Sequence, residues 1–289
     1  LLAVQLLFGL HPVAGAVALR QLSPSAIIGV RTLLGAPLLL LLARLWGQGT
    51  GWPTRRELLA LAGLGLLGVT VNQLLFTEGL HRAGPVNAAV LVVTIPVLTL
   101  LVAILLGRES LSLGRVFGVS LALIGAAIVT RLERFDFSSQ VAIGDLMLLG
   151  NSLSYATYLV LARPLMAKLG AAWCVAWVFV FGAIGALPLT GPALLAAPWA
   201  ELSWQVLLAL AFILFGPTLG AYGLNAYALR RAEASVVAVY VALQPFVGAL
   251  AAWVLLGTQI DARTAIAGAV IVTGVLIASR TRLGPLSAG

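Results

Sequence analysis

Neutral hydrogen-bonding side chains recur at helical spacing inside otherwise apolar stretches of this sequence. Asn151, Tyr155 and Tyr158 stand at i, i+4 and i+7, on one face of a helix, with Ser154 beside them. Thr218, Tyr222 and Asn225 repeat that spacing. Tyr240 and Gln244 are one turn apart, as are Gln73 and Thr77, with Asn72 adjacent. Amides and phenols offer hydrogen bonds without fixed charge, which suits a small polar or zwitterionic solute that also has an apolar part. The face of a phenol ring also accepts a cationic amine. The same side chains can instead bond helix to helix, at about 0.6 kcal/mol per contact in a bilayer. Their clustering on four segments favours a lined cavity, since polar groups within a membrane face the bundle interior or a cavity.

Two ionisable groups lie deep in apolar runs. His11 precedes Arg20 by nine residues, so it is ~13 Å deep at a rise of 1.5 Å per residue. Pro12 follows it and disturbs the local turn. His11 is either a substrate ligand or proton-coupling group, or a neutral imidazole bonded within the bundle. Arg31 sits ~12 Å beyond Ser23 by the same rise. It either attracts a carboxylate or snorkels and pairs with backbone carbonyls. Glu78 lies near the end of its run, one turn before Arg82, and is a charge partner or half of a modest surface pair.

The remaining acidic residues, Glu57, Glu109, Asp145, Glu201, Glu233 and Asp261, fall at the ends of runs or in loops, and Glu133 and Asp136 lie in a polar stretch. No deep carboxylate pair exists for a proton relay or a strong sodium site. A P-loop, an HExxH motif and a Cys/His cluster are all absent from the sequence. No cofactor, metal or ATP is therefore expected, and no enzyme. Cys174 is the single cysteine, which excludes an intrachain disulfide.

These side chains must be positioned by elements that live in lipid. Of 289 residues, 61% are hydrophobic and 9% charged, whereas a soluble domain has about 25% charged. Apolar runs long enough to span a bilayer lie at about Leu1–Leu19, Pro24–Ala43, Glu57–Gly79, Pro85–Leu106 and Leu113–Thr130. After the polar stretch Arg131–Gln140, five more follow at about Gly144–Leu161, Ala172–Thr190, Trp204–Leu229, Ala234–Leu256 and Arg263–Ser279. Continuous runs of this length suit helices, because a barrel strand would alternate. The first run lacks a basic leading segment and reads as a span, not a signal peptide.

The net charge of +8 comes from basic residues set singly or in pairs between apolar runs, a membrane-loop pattern and not a nucleic-acid surface. Eleven of them share one set of loops, against Arg20, Arg82, Arg131, Arg134 and Arg263 on the other. That asymmetry predicts that both termini are cytoplasmic.

The polar stretch divides the ten spans into five and five. Gly79-Leu-His-Arg-Ala-Gly-Pro-Val-Asn-Ala-Ala is similar to Ala228-Leu-Arg-Arg-Ala-Glu-Ala-Ser-Val-Val-Ala, 149 positions later. The same offset carries Pro96 onto Pro245, Gly125 onto Gly274, and Gln73 onto Tyr222. With five spans each, two similar units enter the membrane from opposite sides, an inverted repeat that supports alternating access around a central site. The expected fold is thus all-α integral membrane, with ten transmembrane helices in two five-helix inverted repeats. The expected organisation is 1–130, a linker at 131–142, 143–280, and a tail at 281–289. Pro96 and Pro245, halfway along their spans, are candidate hinges or fixed bends.

The chain resembles the EamA-type exporters of the drug/metabolite transporter superfamily over nearly its whole length. The resemblance rests on the ten spans in two halves, Ala228-Leu-Arg-Arg-Ala, Pro96 and Pro245. It rests also on Leu106-Gly-Arg-Glu109 followed by Gly118 and Gly125, and on Leu22-Ser-Pro24 followed by Arg31. The second half departs from the pattern at Gly257-Thr-Gln259, where Gln259 stands in place of Glu.

The resemblance implies a carrier of the inner (cytoplasmic) membrane that exports amino acids or other small metabolites through a central cavity. Its expected partners are a small-molecule solute and the lipid bilayer, and no nucleic acid. The sequence sets no oligomeric state, and a monomer is compatible with it. The alternatives are an uptake carrier or facilitator for another small polar metabolite, a channel, and a membrane-embedded enzyme.

Overall fold

The computed structural model describes residues 1–46, 51–129, 139–248 and 262–280, and among these the regular elements are helices, without strands. The first part of the chain forms α1 (Leu2–Ala18), α2 (Pro24–Leu45), α3 (Arg55–Gly65), α4 (Asn72–Leu91), α5 (Ile95–Leu105) and α6 (Leu113–Val129). The second forms α7 (Ser139–Leu169), α8 (Ala171–Leu195), α9 (Trp204–Ile213), α10 (Tyr222–Leu229), α11 (Ala234–Val239) and α12 (Ala262–Arg280). Among the described residues four continuous helical stretches are long and apolar enough to cross a membrane: Pro24–Leu45, Arg55–Gly84, Ala171–Leu195 and Trp204–Leu229. Shorter apolar helices accompany them, such as Leu2–Ala18 and Ala265–Ala278. In hydrocarbon each backbone amide must find its partner within the segment, and the helix does this residue by residue.

The helix ends follow from local sequence. Ser23 accepts the Ala26 N–H at 3.2 Å, and Pro24 opens α2 where its missing N–H costs nothing. At α3, Thr54 and Glu57 form a reciprocal capping box, with the Thr54 N–H donating to Glu57 at 2.7 Å. Gly107, at φ 62°, ends the path of α5, and Gly84, at φ 79°, breaks α4.

The helices slip register at matching places. A π segment, Leu66–Val71, joins α3 to α4, and another, Leu214–Ala221, joins α9 to α10. A 3-10 turn, Val92–Thr94, joins α4 to α5, and Tyr240–Leu243 follows α11, which continues helical to Gly248. An offset of 149 places each first-half slip inside its second-half counterpart. Pro96 therefore does not interrupt a regular helix. It stands in the first turn of α5, after the 3-10 turn, where a proline costs little. Pro245 likewise follows a 3-10 turn.

Helices pair across the two parts of the chain. α2 packs on α8, α6 on α12, α5 on α11, α1 on α9, and α4 on α7. The largest apolar core lies at the end where α2 finishes and α3 begins, hereafter the near end. It gathers Leu39, Leu61, Met166, Cys174, Phe179 and Leu229. The far end holds two thinner clusters, one of Leu80, Ala88, Leu91 and Leu148, the other including Ile27, Val206 and Ile213. Helix α7 starts at Ser139, inside the stretch expected as a linker, and runs on to Leu169, past the expected span end at Leu161. Gln259, and Arg131 to Phe137, lie outside the described residues.

The α6–α12 contact is backbone on backbone. A Cβ at Gly274 would stand 2.5 Å from the Ala122 nitrogen and 2.6 Å from the Gly118 oxygen. Small residues permit this approach, which packs helices tightly where lipid gives no hydrophobic drive. Gly274→Val should overpack this contact and cost about 1–3 kcal/mol, read as a lower melting temperature of the detergent-solubilised protein. Gly223→Ala, whose new Cβ meets nothing within 4 Å, should leave the melting temperature unchanged or raise it.

Candidate functional site

Between the two ends lies a cavity of about 60 Å3 whose wall is drawn from both parts of the chain. From the first come Phe8, His11 and Pro12 of α1, Arg31 of α2, Asn72, Gln73, Phe76 and Ala88 of α4, then Val92 and Ile95. The second supplies Asn151 and Tyr155 of α7, Tyr222 of α10, and Gln244. The π segments end immediately before Asn72-Gln73 and before Tyr222, so each register slip leads directly into lining residues. Such slips recur at functional sites because they re-aim side chains without ending the helix.

The slips also leave carbonyls to be satisfied, and polar side chains, most from facing helices, satisfy them. Ser154 donates to the Leu67 oxygen at 2.6 Å and the Tyr222 hydroxyl to the Gly68 oxygen at 3.2 Å. Thr218 donates to the Ile213 oxygen at 2.8 Å, and Ser152 to the Leu91 oxygen at 3.2 Å. Asn72 and Asn151 lock α4 to α7: each side-chain amide donates to the other's backbone oxygen, at 3.3 and 2.8 Å.

One guanidinium lies at the centre. Arg31 is 5% exposed, donates through Nε to Thr218 Oγ1 at 2.7 Å, and sets Nη1 3.3 Å from His11 Nε2. Arginine only donates, so His11 Nε2 accepts and its Nδ1 carries the proton. The imidazole stacks on Phe76 with centroids 4.9 Å apart. The Arg31 guanidinium carbon lies 5.8 Å from the Tyr222 ring centre. Phe8 meets Tyr155 and Tyr222 edge-on. Gln73, 1% exposed, has neither amide atom in a hydrogen bond of regular geometry.

Of the residues singled out from sequence, His11, Arg31, Asn72, Gln73, Asn151, Tyr155, Tyr222 and Gln244 line this cavity, and the others do not. Asn225 stands behind it, donating to the Tyr155 hydroxyl at 2.8 Å. Tyr158 is buried in the near-end core, stacked on Tyr155 and packed against Gly68. Thr77 is buried outside the wall, and Tyr240 packs on a separate cluster with Val239 and Ile271. Glu78 pairs with Arg82 at 2.6 Å on the surface. Neither Pro96 nor Pro245 touches the cavity.

Sequence reasoning missed Gln5, whose side-chain oxygen accepts from Gln244 at 2.9 Å and fixes that amide. A lone glutamine in an apolar run was its signal. It also missed the aromatic wall of Phe8 and Phe76, which apolar periodicity cannot distinguish from core.

The ends are joined differently. At the near end Glu109 and Arg115 meet at 3.0 Å, and Arg115 reaches Glu233 at 2.5 Å. Glu109 also accepts the Ser235 N–H at 3.2 Å and the Ser235 hydroxyl. A first-half carboxylate thus binds backbone N–H at the start of α11, where helix amides await acceptors. At the far end, Asn87 donates to Asp145 at 2.9 Å. Among the described residues no group of three or more His, Cys, Asp and Glu could hold a metal.

The sequence matches the EamA-like transporter family over residues 1–131 and 142–280. It is 28% identical to an uncharacterized transporter of Archaeoglobus fulgidus, over 90% of this chain and 89% of that one. It is 26% identical to a WAT1-related protein of Arabidopsis thaliana (74% and 62% covered) and 24% to an uncharacterized transporter of Bacillus subtilis (78% and 74%). A solved crystal structure covers 96% of the chain and 94% of its own, with TM-score 0.76 and 20% identity, a likeness of fold.

The near-end network yields a stability test. Glu109 and Arg115 side chains are both 2% exposed, and breaking a buried pair costs about 3 kcal/mol or more. Glu109→Ala should therefore lower the melting temperature sharply. Glu233→Ala, at a side chain 20% exposed, should cost about 1 kcal/mol.

Proposed function

Because the chain belongs to the EamA-like transporter family, a family of membrane carriers for small solutes, we propose that it is a secondary transporter exporting amino acids or related amphipathic solutes. It works by alternating access between two five-helix inverted repeats in the cytoplasmic membrane, with both termini cytoplasmic.

The observation that carries this reading is the cavity itself, built from both halves and bounded by a different inter-half contact at each end. A carrier must open one side while the other stays shut, and separate closures at the two ends supply the parts. The repeat is supported by the register slips 149 positions apart and by the helix pairing. Exchanging the halves turns the α1–α9 contact into the contact of α7 with α3–α4, and leaves α2–α8, α5–α11 and α6–α12 as they are. The thick near-end core argues against a channel, which needs a continuous path. Among the described residues no nucleophile–base pair or metal set converges on the cavity, which argues against an enzyme. An uptake carrier would use the same cavity, and the chemistry of the wall is indifferent to direction.

The reading is tested by solute counterflow in proteoliposomes loaded with amino acids, since a carrier is stimulated from the opposite side and a channel is not. Gln73→Leu removes an amide that makes no hydrogen bond of regular geometry in the empty cavity, so it should leave the melting temperature nearly unchanged. It should weaken counterflow affinity about tenfold, the worth of roughly one good hydrogen bond to solute. Thr273→Val, on the exposed face of α12, should leave counterflow as in wild type. Absence of counterflow for every amino acid, or an unchanged affinity in Gln73→Leu, counts against this assignment.

A further inference from the structure

The cavity contains a cation that no carboxylate among the described residues faces. Arg31 carries five N–H donors. Nε donates to Thr218 and Nη1 faces His11. Among the described residues nothing engages Nη2. The described carboxylates are committed elsewhere: Glu57 to Lys168, Glu78 to Arg82, Glu109 and Glu233 to Arg115, and Asp145 to Asn87. Glu201 is exposed on a 3-10 turn beyond α8. A buried charge is tolerated when it is paired, and an intramembrane arginine without a partner is costly.

The surroundings hold this guanidinium in place and do not neutralise it. Thr218 accepts from Arg31 while donating to the Ile213 oxygen beside the second π segment, so its hydroxyl is oriented by the backbone. His11 is held from behind by its stack on Phe76. The Tyr222 ring offers its electron-rich face at 5.8 Å. An independent observation points the same way. Gln73 lines the same cavity, is 1% exposed, and lies beside the Tyr222 hydroxyl without a hydrogen bond of regular geometry. A buried amide without regular hydrogen bonds is costly unless a ligand completes it.

We infer that the transported solute carries a carboxylate, which docks on the free Nη donors of Arg31 and takes the Gln73 N–H, while its apolar part lies against Phe8 and Phe76. This inference rests on the carrier reading and narrows it to carboxylate-bearing solutes. A planar guanidinium meets a carboxylate with two parallel bonds, which neither an amide nor an amine reproduces. The solute's carboxylate supplies the counter-charge that Arg31 lacks among the described residues.

The test compares matched small solutes, as befits a cavity of about 60 Å3. L-alanine and L-leucine keep both charged groups, propanoate and 4-methylpentanoate keep only the acid, and L-alaninamide and L-leucinamide keep only the amine. Binding is read as the concentration that shifts the melting temperature of the purified protein, and transport as counterflow. Each acid should bind at least about tenfold more tightly than the amide of the same skeleton, the value of a charged hydrogen bond. Alanine against propanoate then distinguishes amino acids from simple organic acids. Arg31→Gln should reduce the acid-over-amide preference to about one. The wild-type preference decides the matter even where that variant fails to fold.

Amides bound as tightly as acids, or no shift with any of the acids, overturns the inference. Acid-dependent stabilisation without counterflow supports the ligand assignment and removes the carrier reading. Counterflow of the amides without the acids overturns the ligand assignment and leaves the carrier standing.

Discussion

The structure turns on the demand that every backbone amide in an apolar solvent find a partner inside the protein. A regular helix meets that demand and leaves nothing to spare. Among the described residues this chain departs from regularity at matching places in its two parts, the π segments Leu66–Val71 and Leu214–Ala221 and the 3-10 turns Val92–Thr94 and Tyr240–Leu243. Side chains close several of the gaps: Ser154 and Tyr222 at the first π segment, Thr218 at the second, and Ser152 at the 3-10 turn before α5. The cavity sits beside these repairs, and Tyr222 both closes a gap and borders the cavity.

That coupling explains how much was readable beforehand. Apolar run length locates helices, because hydrocarbon thickness imposes it. The polar faces were also visible, since asparagine, glutamine and tyrosine stand out in leucine-rich runs. Their division of labour was not. Asn225 and Tyr155 belong to one hydrogen bond, yet Tyr155 lines the cavity and Asn225 stands behind it. Tyr158 has the right helical phase and still falls in the core, because Gly68 lets the neighbouring helix come close enough to cover it. Spacing gives a face, and only the distance to the facing helix says whether that face meets another helix or open space. The register slips were invisible for a related reason: they depend on tertiary partners for the carbonyls they free.

The charges show the opposite bias. Arg31 was conspicuous in sequence, and its meaning depends on what is missing around it, which only the assembled bundle reveals. Glu109 looked unremarkable at the end of its span, in a motif whose second-half counterpart carries Gln259. In the fold it joins Arg115, Glu233 and Ser235, residues from both halves. A position six residues from one partner and 126 from another cannot be recognised by local pattern, since its partners are fixed by the way the halves pack.

The order of that network along the chain bears on how the protein is made. Glu109 and Arg115 emerge from the ribosome within a few residues of each other, long before Glu233 and Ser235 exist. Domains form in order of synthesis, and this carboxylate and guanidinium lie six residues apart, so they can neutralise one another before the second part of the chain is made. The second half then arrives at a preformed acceptor, the spare carboxylate oxygen waiting for the backbone at the start of α11. The pair is complete within one part of the chain, and the carboxylate oxygen it leaves over is the one that meets the start of α11.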